Sequence, residues 1–260
     1  MRFCSLGSGS SGNATLVESV VGTRTTRLLI DCGMPYKHLT ERLAKRGLSV
    51  VDLDAVFVTH EHSDHVGCAR QLAAHEHLAV WMSRGTFAAM GGVGQSELEG
   101  RICFAQDGDS IAVGDFQLLP FTVAHDAKEP LQLTLAVGQQ RFGLLTDLGH
   151  VTPYTLTQMQ NLDAVVLEFN HDEALLRTSK YPPFLKDRIA GNYGHLSNIQ
   201  AAMLLEAISH KGLRHVVAAH LSEQNNSPER VRDVIDMHRT GFAYQVHVAD
   251  AEDGFDWIEI

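Results

Sequence analysis

The stretch THEHSDHVG, residues 59–67, places three histidines and the carboxylate of Asp64 within six residues. It continues the apolar segment DAVFVT, which predicts a buried β-strand. In extended backbone, side chains two residues apart point the same way, so His60 and His62 can converge on one point. Asp64 and His65 can turn toward a second point. The spacing therefore suits two metal ions held at the end of a strand.

Three further apolar segments run directly into a possible metal ligand. FQLLPFTVA leads to His125, RFGLLT leads to Asp147, and HVVAA leads to His220. Strand ends on one edge of a sheet are rigid positions for a site, so we expect these side chains to meet the histidine cluster. Together the seven groups supply five imidazoles and two carboxylates without a thiolate. Such a set suits zinc, manganese or iron.

The tripeptide HLS occurs twice, and the two copies have different surroundings. His220 ends an apolar strand as the other ligands do, whereas His195 follows GNYG and opens a helical pattern. We therefore assign His220 as the ligand. A helix start favours an anion, so a phosphate could lie near His195 and Ser197, with His195 as hydrogen-bond donor or general acid.

Composition and patterning indicate one continuous α/β domain over residues 1–260. The chain is 44% hydrophobic, and apolar strand patterns alternate with amphipathic helical patterns throughout. The stretch GSGSSGN between FCSL and ATLVES is interpreted as a tight turn between two strands. Further predicted strands cover 27–31, 54–59, 78–82, 110–113, 116–124, 132–137, 141–146, 163–167 and 215–219, and predicted helices cover 35–46, 66–75, 84–90, 153–160, 198–210 and 228–240.

Charge and cysteine usage narrow the class of protein. The formal net charge of −10 argues against a broad face for polyanions. The four cysteines are widely spaced without a CxxC pair, which favours small buried apolar residues over disulfides or a zinc knot. With neither a secretion signal pattern nor an apolar run approaching 18 residues, we expect a cytoplasmic protein that does not cross a membrane.

The ordered ligands resemble the metallo-β-lactamase superfamily, whose motif THxHxDH is seen here at residues 59–65. The resemblance implies a four-layer αββα sandwich, in which two mixed β-sheets are flanked by helices, with a dinuclear site at one edge. It also implies which residues share a metal: His60, His62 and His125 hold one ion, Asp64, His65 and His220 hold the other, and Asp147 bridges them.

Wider matches resemble the YycJ, WalJ and VicX branch of that superfamily. They are SGSSGN, HDAKEP, TDLGHV, LEFNHD, YPPFLKDRIAGNYGHLSN and HLSEQNNSPE. This branch implies a metal-dependent 5′ to 3′ exonuclease that acts on DNA. The ribonuclease Z and cyclic-phosphate phosphodiesterase branches have a similar acidic residue followed by a histidine, which implies that Glu168 orients His195. We predict Asp64, Glu168 and His195 as catalytic residues.

The ligand set alone does not select the substrate. Two divalent cations about 3.5–4 Å apart lower the pKa of a bridging water, which becomes the nucleophile, and they stabilise charge on attacking and leaving oxygens. A phosphodiester uses both ions well. The alternatives are a small-molecule hydrolase acting on a cyclic phosphodiester, thioester, lactone or lactam, and a non-catalytic module with a structural metal site.

Substrate contacts are predicted in three places. Lys180, Lys186 and Arg188 are candidate phosphate contacts, with Tyr181 as a stacking surface. The turn offers Ser10, Ser11 and Asn13 as donors to a phosphate, and Ser197 lies at the helix start. The expected partner is a nucleic acid, preferably DNA. The sequence leaves the native metal, the strand preference and the oligomeric state open.

Overall fold

The computed structural model describes residues 1–92, 98 and 100–260, which form two seven-stranded sheets. The first sheet contains β1 (Arg2–Gly7), β2 (Ala14–Val21), β3 (Arg24–Ile30), β4 (Ala55–Phe57), β5 (Ala79–Met82), β6 (Ile102–Phe104) and β14 (Phe255–Glu259). Its strand order is β14-β1-β2-β3-β4-β5-β6. The pairs from β14 to β3 are antiparallel, and those from β3 to β6 are parallel.

The second sheet has the same plan. It contains β7 (Ile111–Val113), β8 (Phe116–Thr122), β9 (Leu131–Val137), β10 (Gln140–Leu145), β11 (Ala164–Glu168), β12 (His215–Ala219) and β13 (Gln245–Val248), in the order β13-β12-β11-β10-β9-β8-β7. Strands β7 to β10 pair antiparallel, and β10 to β13 pair parallel. The parallel strands matter for function, because their carboxyl ends meet at one edge.

The helices lie outside the sheets. They are α1 (Tyr36–Lys45), α2 (Ser63–Val66), α3 (Ala69–Ala74), α4 (Arg84–Ala89), α5 (Pro153–Gln158), α6 (Glu173–Thr178), α7 (Pro183–Ile189), α8 (Asn198–Ile208) and α9 (Pro228–His238). A short 3-10 helix covers Val50–Asp52. Helices α1 and α3 pack on the first sheet, whereas α8 and α9 pack on the second.

Alternation along the strands explains the layers. In β11, Val165 and Leu167 pack with the helices on the outer face, while Val166 packs between the sheets. In β12, Val217 faces the other sheet while Val216 faces the helices. Because successive side chains point to opposite faces, a continuously apolar strand buries both. The result is the predicted succession of helix, sheet, sheet and helix.

Most predicted elements are confirmed, including the strands on both sides of GSGSSGN and the start of α9 at Ser227. The helix predicted over 66–75 is present as α3, but a single helix over that whole range is wrong. The chain forms α2 and α3 instead, with a break at Gly67. A Cβ at Gly67, whose φ is 22°, would overlap the backbone of Cys32 and Gly33. This close approach fixes the loop of residues 59–67 against the loop after β3.

The cysteine interpretation is confirmed for three positions. All four thiols are free; Cys4, Cys32 and Cys68 are buried, and Cys103 is half-buried. Across the described ranges, the longest apolar helices fall short of what a membrane span requires.

Candidate active site

The predicted ligands converge on one edge of the molecule, between the two sheets. Residues 60–65 follow β4 of the first sheet, whereas His125, Asp147 and His220 follow β8, β10 and β12 of the second. Together with Glu168 and His195, these residues supply groups of three or four ligand atoms that lie within 4.8 Å of one another. The convergence predicted from strand ends is therefore observed.

Left-handed backbone turns the chain at three of these strand ends. Asp31 after β3, Asp147 after β10 and His220 after β12 have φ angles of 60°, 58° and 56°. Non-glycine residues seldom adopt this conformation, and it costs on the order of 1 kcal/mol or more each. The surrounding structure maintains it, for example through the bond from the Asp31 amide to the Phe57 carbonyl at 2.8 Å. We interpret this strain as the cost of directing the side chains into the site.

The first cluster consists of His60, His62 and His125, and we call it the His62 group. Nε2 of His125 lies 3.2 Å from Nδ1 of His62. Nδ1 of His125 faces the Gly194 carbonyl at 3.1 Å, and Nδ1 of His60 faces the Thr59 hydroxyl at 3.0 Å. These outer contacts fix each ring so that its other nitrogen points inward.

The second cluster consists of Asp64, His65 and His220, and we call it the His220 group. Oδ2 of Asp64 lies 3.6 Å from Nε2 of His220 and 3.7 Å from Nε2 of His65. Nδ1 of His65 contacts Asp31 at 2.8 Å, and Nδ1 of His220 contacts Glu168 at 3.1 Å. Both histidines are thus fixed from outside by a carboxylate.

Asp147 lies between the two groups. It forms one cluster with His60 and His65 and another with Glu168, His195 and His220. Its Oδ2 atom lies 3.0 Å from Nε2 of His65. The angles at that contact do not make it a hydrogen bond. The position is the one expected of a carboxylate shared by two cations.

Three inward-facing atoms indicate that these residues fit a metal ion. Nε2 of His60, Nε2 of His220 and Oδ2 of Asp147 are buried, and none has a hydrogen-bond partner among the described residues. Buried polar atoms are normally paired, since an unpaired one costs about 1–3 kcal/mol. Divalent cations in the two groups would satisfy all three. Imidazole and carboxylate are also the ligands that zinc, manganese and iron accept.

The electrostatics of the His220 group favour bound protons when no cation is present. Burial opposes charge on His220, but Asp147 and the neighbouring carboxylates outweigh it and raise its pKa to about 10. Burial also opposes charge on His65, whose pKa is nevertheless raised by Asp147 and Asp31. Both imidazoles should therefore be protonated near neutral pH in the metal-free protein.

The His62 group behaves in the opposite way. Burial lowers the pKa of His60 and of His125. For His60 the positive charge of His65 adds to that effect. Neutral imidazole is the form that binds a metal, so these two rings are ready for one at neutral pH.

Glu168 is completely buried and joins the ligands to His195. Its Oε1 atom contacts Nδ1 of His195 at 2.7 Å, and its Oε2 atom accepts from the amides of Leu196 at 3.0 Å and Leu148 at 3.2 Å. Burial opposes its ionisation, yet His195 and the hydrogen bonds lower its pKa to about 2. Against burial, Glu168 raises the pKa of His195. The two shifts favour a carboxylate on Glu168 and a proton on His195.

A cleft of about 420 Å³ gives access to these groups. His195 lines it with a side chain that is 22% exposed, and because Nδ1 faces Glu168, Nε2 is available to a bound molecule. The cleft is also lined by Asp64, Asp147 and His220. A substrate there would meet the ligand groups and a proton donor together.

The predicted substrate contacts are distributed unevenly. Ser10 and Tyr181 line the cleft, whereas Ser11 and Lys180 are not among its lining residues. The additional candidate Arg188 also lines it, while Lys186 donates to the Arg177 carbonyl at 2.8 Å. Among the described residues that line the cleft, Arg188 is the one lysine or arginine.

Two predicted contacts have their polar atoms engaged by the protein. Asn13 is 7% exposed; it bonds the backbone of Gly9, and its amide donates to the Asp64 carbonyl at 3.1 Å. Ser197 is the N-cap of α8, and its hydroxyl donates to Glu173 at 2.9 Å. The geometry favours structural roles for both, because little of either side chain is left for a substrate.

Asp31 is the site residue that sequence reasoning missed. Its carboxylate contacts Nδ1 of His65 and also accepts from the Thr59 amide at 2.8 Å and the Thr59 hydroxyl at 2.9 Å. Asp31 ends the strand RLLID, so the same rule that selected Asp147 and His220 could have found it. From the sequence alone, residues 27–31 are predicted only as a strand.

Comparison with known proteins adds to this geometry. Residues 7–155 match the family model of the metallo-β-lactamase superfamily. The chain belongs to the metallo-β-lactamase superfamily. It is accordingly a metal-dependent hydrolase, and the candidate histidine and aspartate groups are consistent with divalent metal ions.

Within the superfamily, the chain belongs with the YycJ and WalJ proteins. It is 33% identical to exodeoxyribonuclease YycJ of Bacillus anthracis over 258 residues, which are 96% of each protein. It is 33% identical to exodeoxyribonuclease WalJ of Streptococcus pneumoniae serotype 2 over 233 residues, which are 88% of this chain and 84% of the relative. The resemblance inferred from the short motifs is confirmed.

Solved structures confirm the fold class. YhfI from Bacillus subtilis superposes with a TM-score of 0.74 and 16% identity, covering 99% of both chains. The short form of human tRNase Z superposes with a TM-score of 0.63 and 17% identity, covering 100% of this chain and 99% of the other. At these identities the likeness concerns the αββα fold alone.

Proposed function

We propose that this metallo-β-lactamase-fold hydrolase is a phosphodiesterase that removes nucleotides from the 5′ end of DNA in the cytoplasm. The observation that carries the proposal is the Glu168–His195 pair, which faces the cleft beside the ligand groups. Two relatives matched over most of the chain are named exodeoxyribonucleases, which supports DNA as the substrate.

The ligand groups define where the metals would bind. We propose one divalent ion in the His62 group, a second in the His220 group, and Asp147 shared by both. Two such ions would activate a water near neutral pH and would stabilise negative charge on a phosphoryl group. Zinc, manganese and iron all suit the donors, so the active ion is left to experiment.

His195 supplies the proton that the leaving group needs. When the bond from phosphorus to the leaving oxygen breaks, that oxygen takes the electron pair, and Nε2 of His195 gives it a proton. Glu168 remains ionised and compensates the charge of the imidazolium, because its pKa lies at about 2. Glu168 thus positions His195 and maintains its protonated form, without giving up a proton itself.

The position of the Asp64 side chain agrees with its predicted catalytic role. Its side chain is 21% exposed and lines the cleft, while its Oδ2 atom remains close to both histidines of the His220 group. It can therefore contact a bound ion and face the substrate. We propose that it orients the attacking water.

The test is cleavage of a 5′-phosphorylated DNA duplex labelled at either end. Reactions with manganese, zinc and iron are compared with His60→Ala, and bis(p-nitrophenyl) phosphate serves as a substrate without bases. We expect metal-dependent release from the 5′ end that the variant lacks. Cleavage of bis(p-nitrophenyl) phosphate with intact DNA would overturn the DNA assignment while retaining phosphodiester chemistry, and release from the 3′ end would overturn the polarity.

His195→Ala separates the proton donor from the metal site. Since general acid catalysis contributes about 10²–10⁴-fold, turnover should fall by at least about a hundredfold. Metal content should remain that of the wild type, because His195 belongs to neither the His62 group nor the His220 group. Unchanged turnover would exclude the acid role.

A further inference from the structure

Helix α7 has an unusual position at the rim of the cleft. None of its seven residues is fully buried, and Phe184 is 73% exposed. A helix this short has little stability of its own, and burial normally stabilises it. The Phe184 ring is therefore accessible to a molecule that lies on α7.

The helix is nevertheless fixed relative to the catalytic residues. The amide of His195 donates to the carbonyl of Ile189, the last residue of α7, at 2.8 Å. Tyr181, Arg188 and Ile189 all line the cleft. A molecule lying on α7 would therefore reach the cleft next to His195.

The local charge is opposite to that of the whole chain. Residues 177–188 contain four basic side chains and one acidic side chain, whereas the protein has a net charge of −10. A basic surface within an acidic protein attracts a polyanion to one place. The composition thus favours a narrow nucleic-acid contact over a broad one.

Arg188 is held in a position to contact phosphate. Its Nε donates to Oδ2 of Asp126 at 2.6 Å, and its side chain is 58% exposed. Oδ1 of Asp126 lies 3.5 Å from Nε2 of His125 in the His62 group. A guanidinium has five N–H donors, so one bond to Asp126 orients it and leaves others for an anion.

We propose that α7 and the residues just before it form the binding surface for an unpaired DNA strand as its end enters the cleft. In this arrangement Phe184 and Tyr181 stack on bases, and Arg188 contacts a backbone phosphate. Aromatic rings and a basic groove are the two components with which proteins bind single strands without reading sequence. The inference rests on the proposed function, since it assumes that DNA is the substrate.

The test uses the metal-loaded enzyme and two substrates. The quantity measured is kcat/KM for a single-stranded oligonucleotide divided by kcat/KM for bis(p-nitrophenyl) phosphate, which has no base to stack. Phe184→Ala should lower this ratio roughly tenfold, mainly through KM for the oligonucleotide. The ratio cancels any difference in metal content or folded fraction between preparations.

Matched variants distinguish stacking from general effects. Met237 on α9 is 74% exposed, so Met237→Ala removes a comparable apolar side chain elsewhere and should leave the ratio unchanged. Phe184→Trp should retain the ratio, whereas Phe184→Leu, which keeps apolar area without a flat ring, should lower it. Equal ratios for wild type and Phe184→Ala would overturn the proposal.

The role of Arg188 is tested separately, by the dependence of KM on salt concentration. Each phosphate contact to a single strand contributes about 0.7 to the slope of log affinity against log salt concentration. Arg188→Gln should reduce the slope of log KM by about that amount, whereas Lys211→Gln, before β12 at the opposite end of the strands, should not. An unchanged slope in Arg188→Gln would remove Arg188 from the binding surface.

Failure of this inference differs visibly from failure of the proposed function. If wild type cleaves bis(p-nitrophenyl) phosphate but no DNA with any metal, the proposed function and this surface both fail before a variant is made. If wild type cleaves DNA and the α7 variants cleave it equally well, the proposed function stands and the surface alone is overturned.

Discussion

The two ligand groups differ in what holds them from outside. In the His220 group, His65 and His220 face the carboxylates of Asp31 and Glu168. In the His62 group, the outer partners of His60 and His125 are the Thr59 hydroxyl and the Gly194 carbonyl, which carry no charge, while His62 lies 3.7 Å from the carboxylate of Asp126. A carboxylate makes the imidazole it contacts a more basic ligand and also favours its protonated form. The two metals should therefore bind with different dependence on acid and on mutation.

Substitution of Asp147 should have the largest effect, because this residue contacts both ligand groups. Asp147→Ala should reduce turnover of bis(p-nitrophenyl) phosphate to background, beyond the roughly 100-fold upper range for losing an outer partner. Metal analysis should show loss from both groups. Asp236→Ala, an exposed carboxylate on α9, is the control. Retention of one full equivalent of metal would show that Asp147 is not shared.

A substitution of Asp31 tests the role of the carboxylate that contacts His65 from outside the His220 group. Asp31→Asn keeps the shape but weakens acceptance from His65 and from the Thr59 amide and hydroxyl. Metal affinity of the His220 group should fall about 10–100-fold in a chelator competition titration. The His62 group should be less affected, since Asp31 reaches His60 only through Thr59. Equal losses in both groups would contradict the distinction.

The two ligand groups should also differ in the number of protons that they release when a metal binds. His220, with a pKa of about 10, and His65, with a raised pKa, must lose protons when a metal binds, whereas His60 and His125 are already neutral. Below the pKa of His220 in the metal-free protein, apparent affinity of the His220 group should fall by about tenfold per pH unit for each proton displaced. Calorimetry in buffers of different ionisation enthalpy should assign the release to one binding step. Equal release in both steps would refute the assignment.

Thr59 should give the smallest effect. Thr59→Val removes the hydroxyl between His60 and Asp31 while the backbone amide still donates to Asp31. We expect loss of metal affinity in the His62 group at or below the low end of the roughly 10–100-fold range, with Thr59→Ser close to wild type. A larger loss than that of Asp31→Asn would mean that the neutral partner matters more than the carboxylate.

Much of the ligand set was predictable from the sequence because metal ligands follow strands. Crowding at residues 60–65 cannot be explained by packing, and His125, Asp147 and His220 each end an apolar run. The four layers came from resemblance to a known family. Alternation in β11 and β12 is too weak a signal for layer order, since both faces of those strands are apolar.

The features that the sequence did not predict depend on contacts between distant segments of the chain. Nothing near Asp31 in the sequence shows that it faces His65. The polar side chains of Asn13 and Ser197 looked available, yet tertiary contacts and a helix cap engage them. The break at Gly67 arises from packing against the loop after β3. Each case required the spatial neighbour, which local pattern does not contain.

The placement of the ligands on both sheets has a consequence for folding. The first sheet provides Asp31 and residues 60–65, and the second provides His125, Asp147 and His220. Neither half can form the complete site alone, so an ion bound there stabilises only the state in which both are in place. Metal loading should therefore slow amide exchange on both sides of the interface at once, and make the two sheets unfold as one cooperative unit.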